Sequence, residues 1–477
     1  MSEIQGTRSE GIALQTAQGR RVLLATVLGS GMAFLDTTVV NVALPVLGRE
    51  LGASVAGLQW TIDAYLLTLT AFLLLGGSLG DALGRRRMFV VGTAAFAATS
   101  ALCGLAPSLG FLCAARALQG VAAALLVPGS LAILRTSLQP ADQDAAIGAW
   151  AGLAGVMAAV GPIAGGWLIQ VWSWRAIFFL NLPLAAVVIW TTLRAVPAHP
   201  QSTSRRLDGP GAALVALGLA GVVFALIEGP ARGNSLLVWS AGCVGVLALA
   251  GFLIRERRAA APMLPLHLFR SRQFTTANLT TLTVYFALSA AMFLIVLALQ
   301  RGLGYSPLAS GLALLPITIL MLVLSPIVGR VTHRIGYRVP MSIGPACAGL
   351  GLAVIALFGI TPRGSAALLA GVAIFGVGLS LTVTPLTAAV MSGVPSDQAG
   401  TASGVNNAVA RLASLLGVAV LPGLSGVGTA AASGPGMLPP IRIALGAAAA
   451  ICAAGGLIAA LGLRRPPAPR RPAPASP

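Results

Sequence analysis

Fourteen long apolar segments, each long enough to cross a lipid bilayer, dominate this sequence. A helix needs roughly 20 apolar residues to span about 30 Å of hydrocarbon. The chain therefore predicts an all-α membrane protein with fourteen transmembrane spans. The predicted cores of these spans are residues 22–44, 58–79, 88–106, 111–134, 145–168, 176–194, 211–228, 236–254, 274–299, 310–329, 341–360, 366–391, 399–421 and 441–463.

Charged residues are too few to cover a water-soluble surface. They make up 9% of the chain, whereas a soluble domain carries about 25%. The sequence contains no lysine, so it lacks the lysine of a nucleotide-binding P-loop and any lysine for Schiff-base chemistry. Its cysteines and histidines are scattered and form no ligand cluster. We therefore expect no metal, no cofactor and no enzymatic activity.

The placement of the arginines predicts the orientation of the chain. Most of them fall on the side of the membrane that holds the N-terminus. By the positive-inside rule both termini are then cytoplasmic, in the inner membrane of a bacterial cell. The same asymmetry accounts for the net charge of +18 without a nucleic-acid partner. The arginines expected on the opposite side are Arg49, Arg175, Arg232, Arg301, Arg363 and Arg442.

An internal repeat divides the chain into two similar parts. Residues 77–86, GSLGDALGRR, follow span 2, and residues 329–338, GRVTHRIGYR, follow span 10. Both fit G-x-[LV]-x-x-x-[LI]-G-x-R. An offset of eight spans, an even number, predicts parallel repeats, a plan that transporters use with a central site between two halves. The predicted segments are a cytoplasmic N-terminal segment 1–21, an N-terminal six-helix bundle 22–194, a linker with two additional transmembrane helices 195–258, a C-terminal six-helix bundle 259–463 and a disordered cytoplasmic tail 464–477.

Several motifs, in order along the chain, resemble those of the major facilitator superfamily. They are LDTTVVNVALP at 35–45, WTIDAYL at 60–66, GSLGDALGRRR at 77–87, RALQG at 116–120, GPIAGG at 161–166 and WRAIFFLNLP at 174–183. The resemblance covers residues 22–463 and points to the fourteen-span drug:proton antiporters. It implies the major facilitator fold, two six-helix bundles plus two extra central helices. The implied function is export of small amphiphilic or hydrophobic compounds in exchange for protons, and we expect a monomer.

Asp36 lies deep within span 1, about 21 Å along the helix if that helix begins near Val22. An ionised aspartate at a helix centre costs roughly 2.5–3.5 kcal/mol to insert, so we expect it to face a cavity or a partner. An acid held away from water can exchange a proton near neutral pH, which makes Asp36 a candidate for proton coupling. The alternative is a structural carboxylate hydrogen-bonded to Thr37, Thr38 or Asn41.

Two further charged residues are candidates for proton coupling. Asp63 is either a second protonatable site in the outer part of the cavity or a carboxylate stabilised by the dipole at a helix start. Arg116 must pair with a group inside the bilayer. The resemblance implies that it tunes the proton affinity of the span-1 carboxylate, and a structural ion pair is the alternative. We expect the substrate cavity to include Thr37, Asn41, Tyr65 and Gln119.

The loop after span 2 is a candidate gate. The resemblance implies that Asp81 docks against the start of span 13, near Gly400. The alternative is that the loop arginines only orient the protein in the membrane. The second repeat has His333 where the first has Asp81. The gating residues are Gly77, Asp81, Gly84, Arg85 and Arg86.

Span 5 carries small residues at near-helical spacing. Small residues allow tight contact between helices, and a proline removes one backbone hydrogen bond. The resemblance implies a kink typical of antiporters, and ordinary close packing is the alternative. The residues of this predicted kink are Gly161, Pro162, Gly165 and Gly166.

Three other polar residues stand within or beside apolar segments. Asn407 and Arg411, in span 13, are expected at the contact between the two halves. Glu228 ends span 7 and is expected to be solvated.

Two other functions stay open from the sequence. A proton-coupled symporter that imports a small nutrient would use the same fold, although the span-5 glycines and the two extra spans favour export. A membrane-embedded enzyme would need paired catalytic carboxylates or histidines at a common depth, and the loop histidines do not supply them.

Overall fold

Fourteen long helices make up the computed structural model, which describes residues 11–198, 208–233, 235–259, 262, 264–395, 398–427 and 434–463. All fourteen are long and apolar enough to cross a membrane, so the predicted number of spans is confirmed. The predicted tail 464–477, residues 1–10 of the N-terminal segment and residues 199–207 of the linker lie outside the described residues. The helices are α1 Ala17–Glu50, α2 Val55–Leu83, α3 Arg85–Gly104, α4 Leu109–Ser137, α5 Pro140–Val171, α6 Ala176–Ala195, α7 Gly209–Arg232, α8 Leu236–Arg258, α9 Arg272–Gly302, α10 Pro307–Ile335, α11 Arg338–Gly359, α12 Ser365–Ser392, α13 Ala399–Leu424 and α14 Leu438–Gly462.

Hydroxyl side chains fix the starts of several helices. The Thr16 hydroxyl accepts a hydrogen bond from the Gly19 amide at 3.0 Å, before α1. Ser54 and Ser306 do the same before α2 and α10. Such caps satisfy amides that have no partner inside the helix. The polar residues between the apolar runs therefore set the helix boundaries.

The two halves of the chain pack in the same order. In the first half α2 and α3 pack against α4, while α1 packs against α5 and α6. In the second half α10 and α11 pack against α12, while α9 packs against α13 and α14. The pattern recurs at an offset of eight helices, as parallel repeats require. The extra helices α7 and α8 pack against each other, and α7 also contacts α2 and α13.

The second of the two glycines shared by the repeat motif sits at a turn in both halves. Gly84, between α2 and α3, has φ +94°, and Gly336, between α10 and α11, has φ +79°. Residues with a Cβ atom rarely adopt such angles. The conformation of the turn therefore explains why the motif has glycine at this position.

The halves touch at one end of the molecule and separate at the other. We call the end near Ala17 the N-terminal face and the opposite end the far face. Near the far face, Gln59 Nε2 of α2 donates to the Val418 carbonyl of α13 at 2.6 Å. Gln300 Nε2 of α9 donates to the Val42 carbonyl of α1 at 2.9 Å. Toward the N-terminal face, residues of both halves line a common cavity.

Candidate functional site

A buried ion pair joins α1 to α4. The Arg116 Nη1 atom donates to the Asp36 Oδ2 atom at 2.5 Å, and each side chain is 1% exposed. Two opposite charges so far from water stabilise the fold only when their remaining polar atoms are also satisfied. The geometry of the neighbouring residues meets that condition.

Amide side chains complete the surroundings of the Asp36 carboxylate. Gln119 Nε2, also on α4, donates to Asp36 Oδ1 at 2.9 Å, and Asn181 Nδ2 on α6 donates to the same oxygen at 3.3 Å. Asn181 Nδ2 also lies 3.0 Å from the Ser100 hydroxyl of α3. The Asp36 carboxylate thus connects α1 to α4 and α6, and Asn181 extends the connection to α3. We call Asp36, Arg116, Gln119, Asn181 and Ser100 the buried network.

The Arg116 guanidinium is held by further contacts. Its Nε atom donates to the Thr61 carbonyl of α2 at 3.1 Å, and its Nη1 atom also donates to Gln119 Oε1 at 2.8 Å. Its Cζ atom lies 4.3 Å from the centroid of the Tyr65 ring, a cation–π distance. These contacts use the planar donor geometry that distinguishes arginine from lysine.

Asp36 has different partners from those that its sequence neighbours suggest. Thr37, Thr38 and Asn41 donate to backbone carbonyls one turn earlier in α1, for example Asn41 Nδ2 to the Thr37 carbonyl at 2.9 Å. The alternative in which these three residues bind the Asp36 carboxylate is therefore wrong. Asn181 belongs to the motif at 174–183, but sequence analysis assigned it no role. An asparagine within an apolar span is the feature that could have identified it as a partner of Asp36.

Asp63 occupies a second buried position, in α2. Its side chain is fully buried, and neither carboxylate oxygen has a hydrogen-bond partner in the part of the chain that the structure describes. The alternative role at a helix start is wrong, because α2 begins at Val55. The helix dipole acts only within the first turn. An unpaired carboxylate anion at such a place is strongly unfavourable.

The cavity at the N-terminal face has a volume of about 690 Å³. It lies between the gating loop of the first half and the start of α13 in the second half. Asp81 and Gly400, the predicted docking partners, line it from opposite halves. Asn407 and Arg411 also line it, and the Arg411 Cζ atom lies 5.5 Å from the centroid of the Phe34 ring of the first half.

The four residues predicted for the substrate cavity lie outside this lining. Tyr65 and Gln119 are fully buried in or beside the buried network, and Thr37 and Asn41 are half-buried on α1. Their contact with a substrate stays a prediction.

The gating residues Gly77 and Asp81 were predicted in a loop but lie in the last turns of α2, which runs to Leu83. Two arginines contact other parts of the same half. Arg85 Nη2 pairs with Asp81 Oδ1 at 2.9 Å, and Arg86 Nη2 donates to the Leu193 carbonyl of α6 at 2.6 Å. Gly77 and Arg85 line the cavity, and Gly84 forms the turn into α3. The loop thus links α2 and α3 to α6 at the mouth of the cavity.

The glycines of α5 lie where this helix crosses two others. Gly161 faces Thr38 and Gly165 faces Val39, both on α1. Gly166 faces the opposite half, where a Cβ atom would lie 2.7 Å from the Leu308 Cα atom of α10. α5 runs without a break through Pro162. The small residues therefore place α5 close to both halves.

Glu228 was expected to be solvated, but its side chain is largely shielded from water. Its Oε1 atom accepts a hydrogen bond from Trp60 Nε1 of α2 at 2.9 Å, and its Oε2 atom pairs with Arg232 at 2.7 Å. The Glu228 side chain is 14% exposed. This contact fixes the extra helix α7 against α2 at the far face.

Comparison with known proteins assigns the family. A sequence model of the Major Facilitator Superfamily matches residues 26–418, which is more than half of the chain. The chain belongs to the major facilitator superfamily. The matched range includes the Asp36–Arg116 pair, the gating loop and the glycines of α5.

Several relatives are named as resistance or export proteins. The multidrug resistance protein Stp of Mycobacterium tuberculosis is 38% identical over 407 residues, covering 84% of this chain and 74% of its own. The tetracenomycin C resistance and export protein of Streptomyces glaucescens is 36% identical over 423 residues, covering 86% and 78%. The crystal structure of the peptide transporter POT in complex with sulfate aligns with a TM-score of 0.68 at 16% identity, covering 94% and 96%. At that identity the structure shows the fold alone.

Proposed function

We propose that this chain exports small amphiphilic or hydrophobic compounds, such as drugs and antibiotics, from the cytoplasm in exchange for protons. It would lie in the inner membrane of a bacterial cell as a monomer, with both termini cytoplasmic. The observation that best supports proton coupling is the Asp36–Arg116 pair. The Asp36 side chain is 1% exposed, and one arginine balances its charge. The relatives named for resistance and export support the direction of transport.

Protonation of Asp36 would couple to helix packing through Arg116. When Asp36 is ionised, its charge is balanced by Arg116 and its oxygens accept from two amides. A proton on Asp36 cancels that charge and leaves a buried guanidinium with a neutral partner. Leaving one member of a buried pair uncompensated costs about 3–5 kcal/mol. The packing of α1 against α4 and α6 must then change or admit water.

During transport the cavity would open first at the N-terminal face and then at the far face. The halves touch at the far face and enclose a cavity at the N-terminal face. Substrate would enter this cavity from the cytoplasm, past Asp81 and Arg85. The far-face contacts would then break, while α5 and α10 slide past each other where Gly166 of α5 faces Leu308 of α10. Asp63, near the far-face contacts of α2, would be a second proton site. Asn407 and Arg411 would lie where the two halves meet when the cavity closes at the N-terminal face.

The proton gradient supplies enough energy for such export. One proton that enters down 100 mV releases about 2.3 kcal/mol. That energy maintains roughly a fifty-fold concentration ratio of a neutral substrate.

Transport by Asp36→Asn in inverted membrane vesicles tests this function. Asparagine keeps the size and the acceptor oxygen but cannot titrate. We expect the variant to bind substrate and to lose uphill accumulation driven by a pH gradient. Asp144→Asn, an exposed acid at the start of α5, is the matched control and should accumulate substrate as the wild type does. Gradient-driven uphill transport by Asp36→Asn would rule out Asp36 as the essential carrier.

The same vesicles decide between export and import. In an inverted vesicle an exporter accumulates substrate when the lumen is acidic, because protons leave as substrate enters. A symporter that imports a nutrient would move substrate out of the lumen together with protons. The direction of substrate movement in the imposed gradient therefore separates the two functions.

A further inference from the structure

The acidic residues that line the cavity at the N-terminal face are neutralised by arginines. Asp81 pairs with Arg85 at 2.9 Å, and Asp208 pairs with Arg255 at 2.8 Å. The hydrogen bond from Arg255 lowers the pKa of Asp208, which lies just before α7, below its usual value. Asp208 therefore stays ionised and paired at neutral pH. Neither acid offers an unbalanced negative charge to a ligand.

Two arginines in the same lining have no acidic partner within the described part of the chain. Arg135 stands at the end of α4, at the mouth of the cavity opposite Gly400, and is half-buried. Arg411 is half-buried on α13, about 18 Å from the start of that helix. The ion pairs formed by described residues include neither of them. The described residues of the cavity lining therefore carry surplus positive charge at its mouth and at its inner end.

The surroundings of Arg411 compensate its charge only in part. The Phe34 ring, 5.5 Å from the Arg411 Cζ atom, offers a cation–π contact. Such a contact contributes about 0.5–2 kcal/mol and adds no negative charge. A cation placed away from bulk water is unfavourable unless an anion accompanies it. An anionic ligand beside Arg411 would supply that compensation.

Apolar and aromatic side chains form part of the walls around this charge. Phe34 of α1 and Trp150 of α5 line the cavity together with Leu73 and Met88. Trp150 is fixed in orientation, because its Nε1 atom donates to the Ser30 hydroxyl at 3.2 Å. A volume of about 690 Å³ lies within the range of small-molecule sites. These walls suit flat aromatic rings better than a small hydrated anion.

We propose that the compounds this site binds are aromatic organic anions, such as carboxylates, phenolates or sulfonates on fused rings. Arg411 would bind the anionic group, Phe34 and Trp150 would contact the rings, and Arg135 would attract the anion at the mouth. This deepens the proposed function and rests on it for the direction of transport, although the binding preference does not depend on proton coupling.

Among the residues that the structure describes, a cation would find no free acid along this path. The Asp36 carboxylate is already engaged by Arg116 and Gln119. Asp63 is fully buried and lies outside the lining of the cavity. The site should therefore select against aromatic cations.

Binding of two rigid probes with fixed opposite charges tests the proposal. Naphthalene-1-sulfonate and N-methylquinolinium are two-ring aromatics of similar size whose charges do not titrate. Equilibrium dialysis uses the purified full-length protein in nanodiscs of zwitterionic lipid, without any ion gradient. We expect the sulfonate to bind at least tenfold more tightly than the quinolinium. Equal binding, or a preference for the quinolinium, would overturn the proposal.

Arginine variants locate the anion. Arg411→Gln should weaken sulfonate binding at least tenfold, and Arg411→Lys should retain most of it, which also shows that the cavity is intact. Arg135→Gln should weaken binding a few-fold. Arg363→Gln, an exposed arginine near the far face, is the matched control and should bind as the wild type does. Unchanged sulfonate binding by Arg411→Gln would refute Arg411 as the anion site, and so would full displacement by an equal concentration of inorganic phosphate.

Transport in inverted vesicles separates this proposal from the proposed function. Energised accumulation of quinolinium but not of sulfonate would refute the anion preference and leave proton-coupled export standing. Tight, Arg411-dependent sulfonate binding with no energised accumulation would refute the export function and leave the anion site standing. Accumulation of the sulfonate alone supports both.

Discussion

Arg86 and Arg338 make the same contact in the two halves of the molecule. Arg86 Nη2 donates to the Leu193 carbonyl of α6 at 2.6 Å, and Arg338 Nε donates to the Ala460 carbonyl of α14 at 2.9 Å. Both acceptors lie in the last turn of the sixth helix of their half, where carbonyls lack partners within the helix. The helix dipole also favours a cation there. The arginine of the repeat motif thus ties each loop to the helix that ends its half.

Replacing this arginine by alanine should slow transport without preventing insertion. Arg86→Ala frees the α2–α3 loop from α6, and Arg338→Ala frees the equivalent loop from α14. Because Arg86 is partly exposed, we expect a loss of stability below about 1.5 kcal/mol. The transport rate should fall several-fold at equal membrane abundance. Arg87→Ala, the exposed neighbour, is the control, and a wild-type rate for Arg86→Ala would mean that the loop arginines only set topology.

Arg116→Lys should transport poorly although it keeps the positive charge. Arg116 uses Nε for the Thr61 carbonyl and Nη1 for Asp36 and Gln119. A lysine ammonium is a compact charge that cannot copy this planar set of donors. We expect Arg116→Lys to lose most gradient-driven transport and Arg116→Ala to lose all of it. Gradient-driven accumulation at equal membrane abundance measures both. Full activity of Arg116→Lys would show that charge alone suffices.

The fold was predictable from sequence because its main determinant is local. A run of about 20 apolar residues specifies a spanning helix by length alone. Segments 211–228 and 399–421, the least certain of the predicted spans, also became α7 and α13. The glycine of the repeat motif was predictable from its pattern, and its reason, a positive φ at Gly84, appeared only in the structure.

The site was less predictable, because its contacts join distant parts of the chain. Asp36 and Arg116 could be selected individually, since charges in apolar runs are rare and require compensation. That Asp36 accepts from Asn181, rather than from its neighbour Asn41, depends on how α6 packs against α1. The lack of a described acid beside Arg411 depends equally on packing, because sequence alone gives no distance to the nearest carboxylate.

Gly166→Ala should block alternation of the two halves. A Cβ atom at this position would lie 2.7 Å from the Leu308 Cα atom, closer than side-chain contacts allow. Overpacking of this kind typically costs about 1–3 kcal/mol. The cost falls on the α5–α10 contact between the halves, so we expect a loss of transport and a lower thermal unfolding midpoint. Gly152→Ala, on the same helix with open space at its Cβ position, should leave both unchanged.

The contact between Gln59 and Val418 is one of those that close the far face, and it depends on a proline. Pro422 has no amide hydrogen, so the Val418 carbonyl, four residues earlier, lacks its usual partner within α13. Gln59 Nε2 of the opposite half donates to that carbonyl at 2.6 Å. Gln59→Leu leaves the carbonyl buried and unpaired, which costs about 1–3 kcal/mol. We expect this variant to unfold at a lower temperature. We also expect the closed far face to be less stable, because one hydrogen bond between the halves is lost.

Adding Pro422→Ala to Gln59→Leu should restore the lost stability. Alanine supplies the missing amide, which can donate to the Val418 carbonyl within the helix. The two substitutions should then be strongly non-additive, with a coupling energy of about 0.5–3 kcal/mol in the favourable direction. Thermal unfolding of the wild type, both single variants and the double variant measures this coupling. Transport should not recover with stability, because the double variant has lost the donor that crosses from α2 to α13 and keeps only the Gln300 contact between the halves. Additive losses of stability would mean that Gln59 acts through another contact.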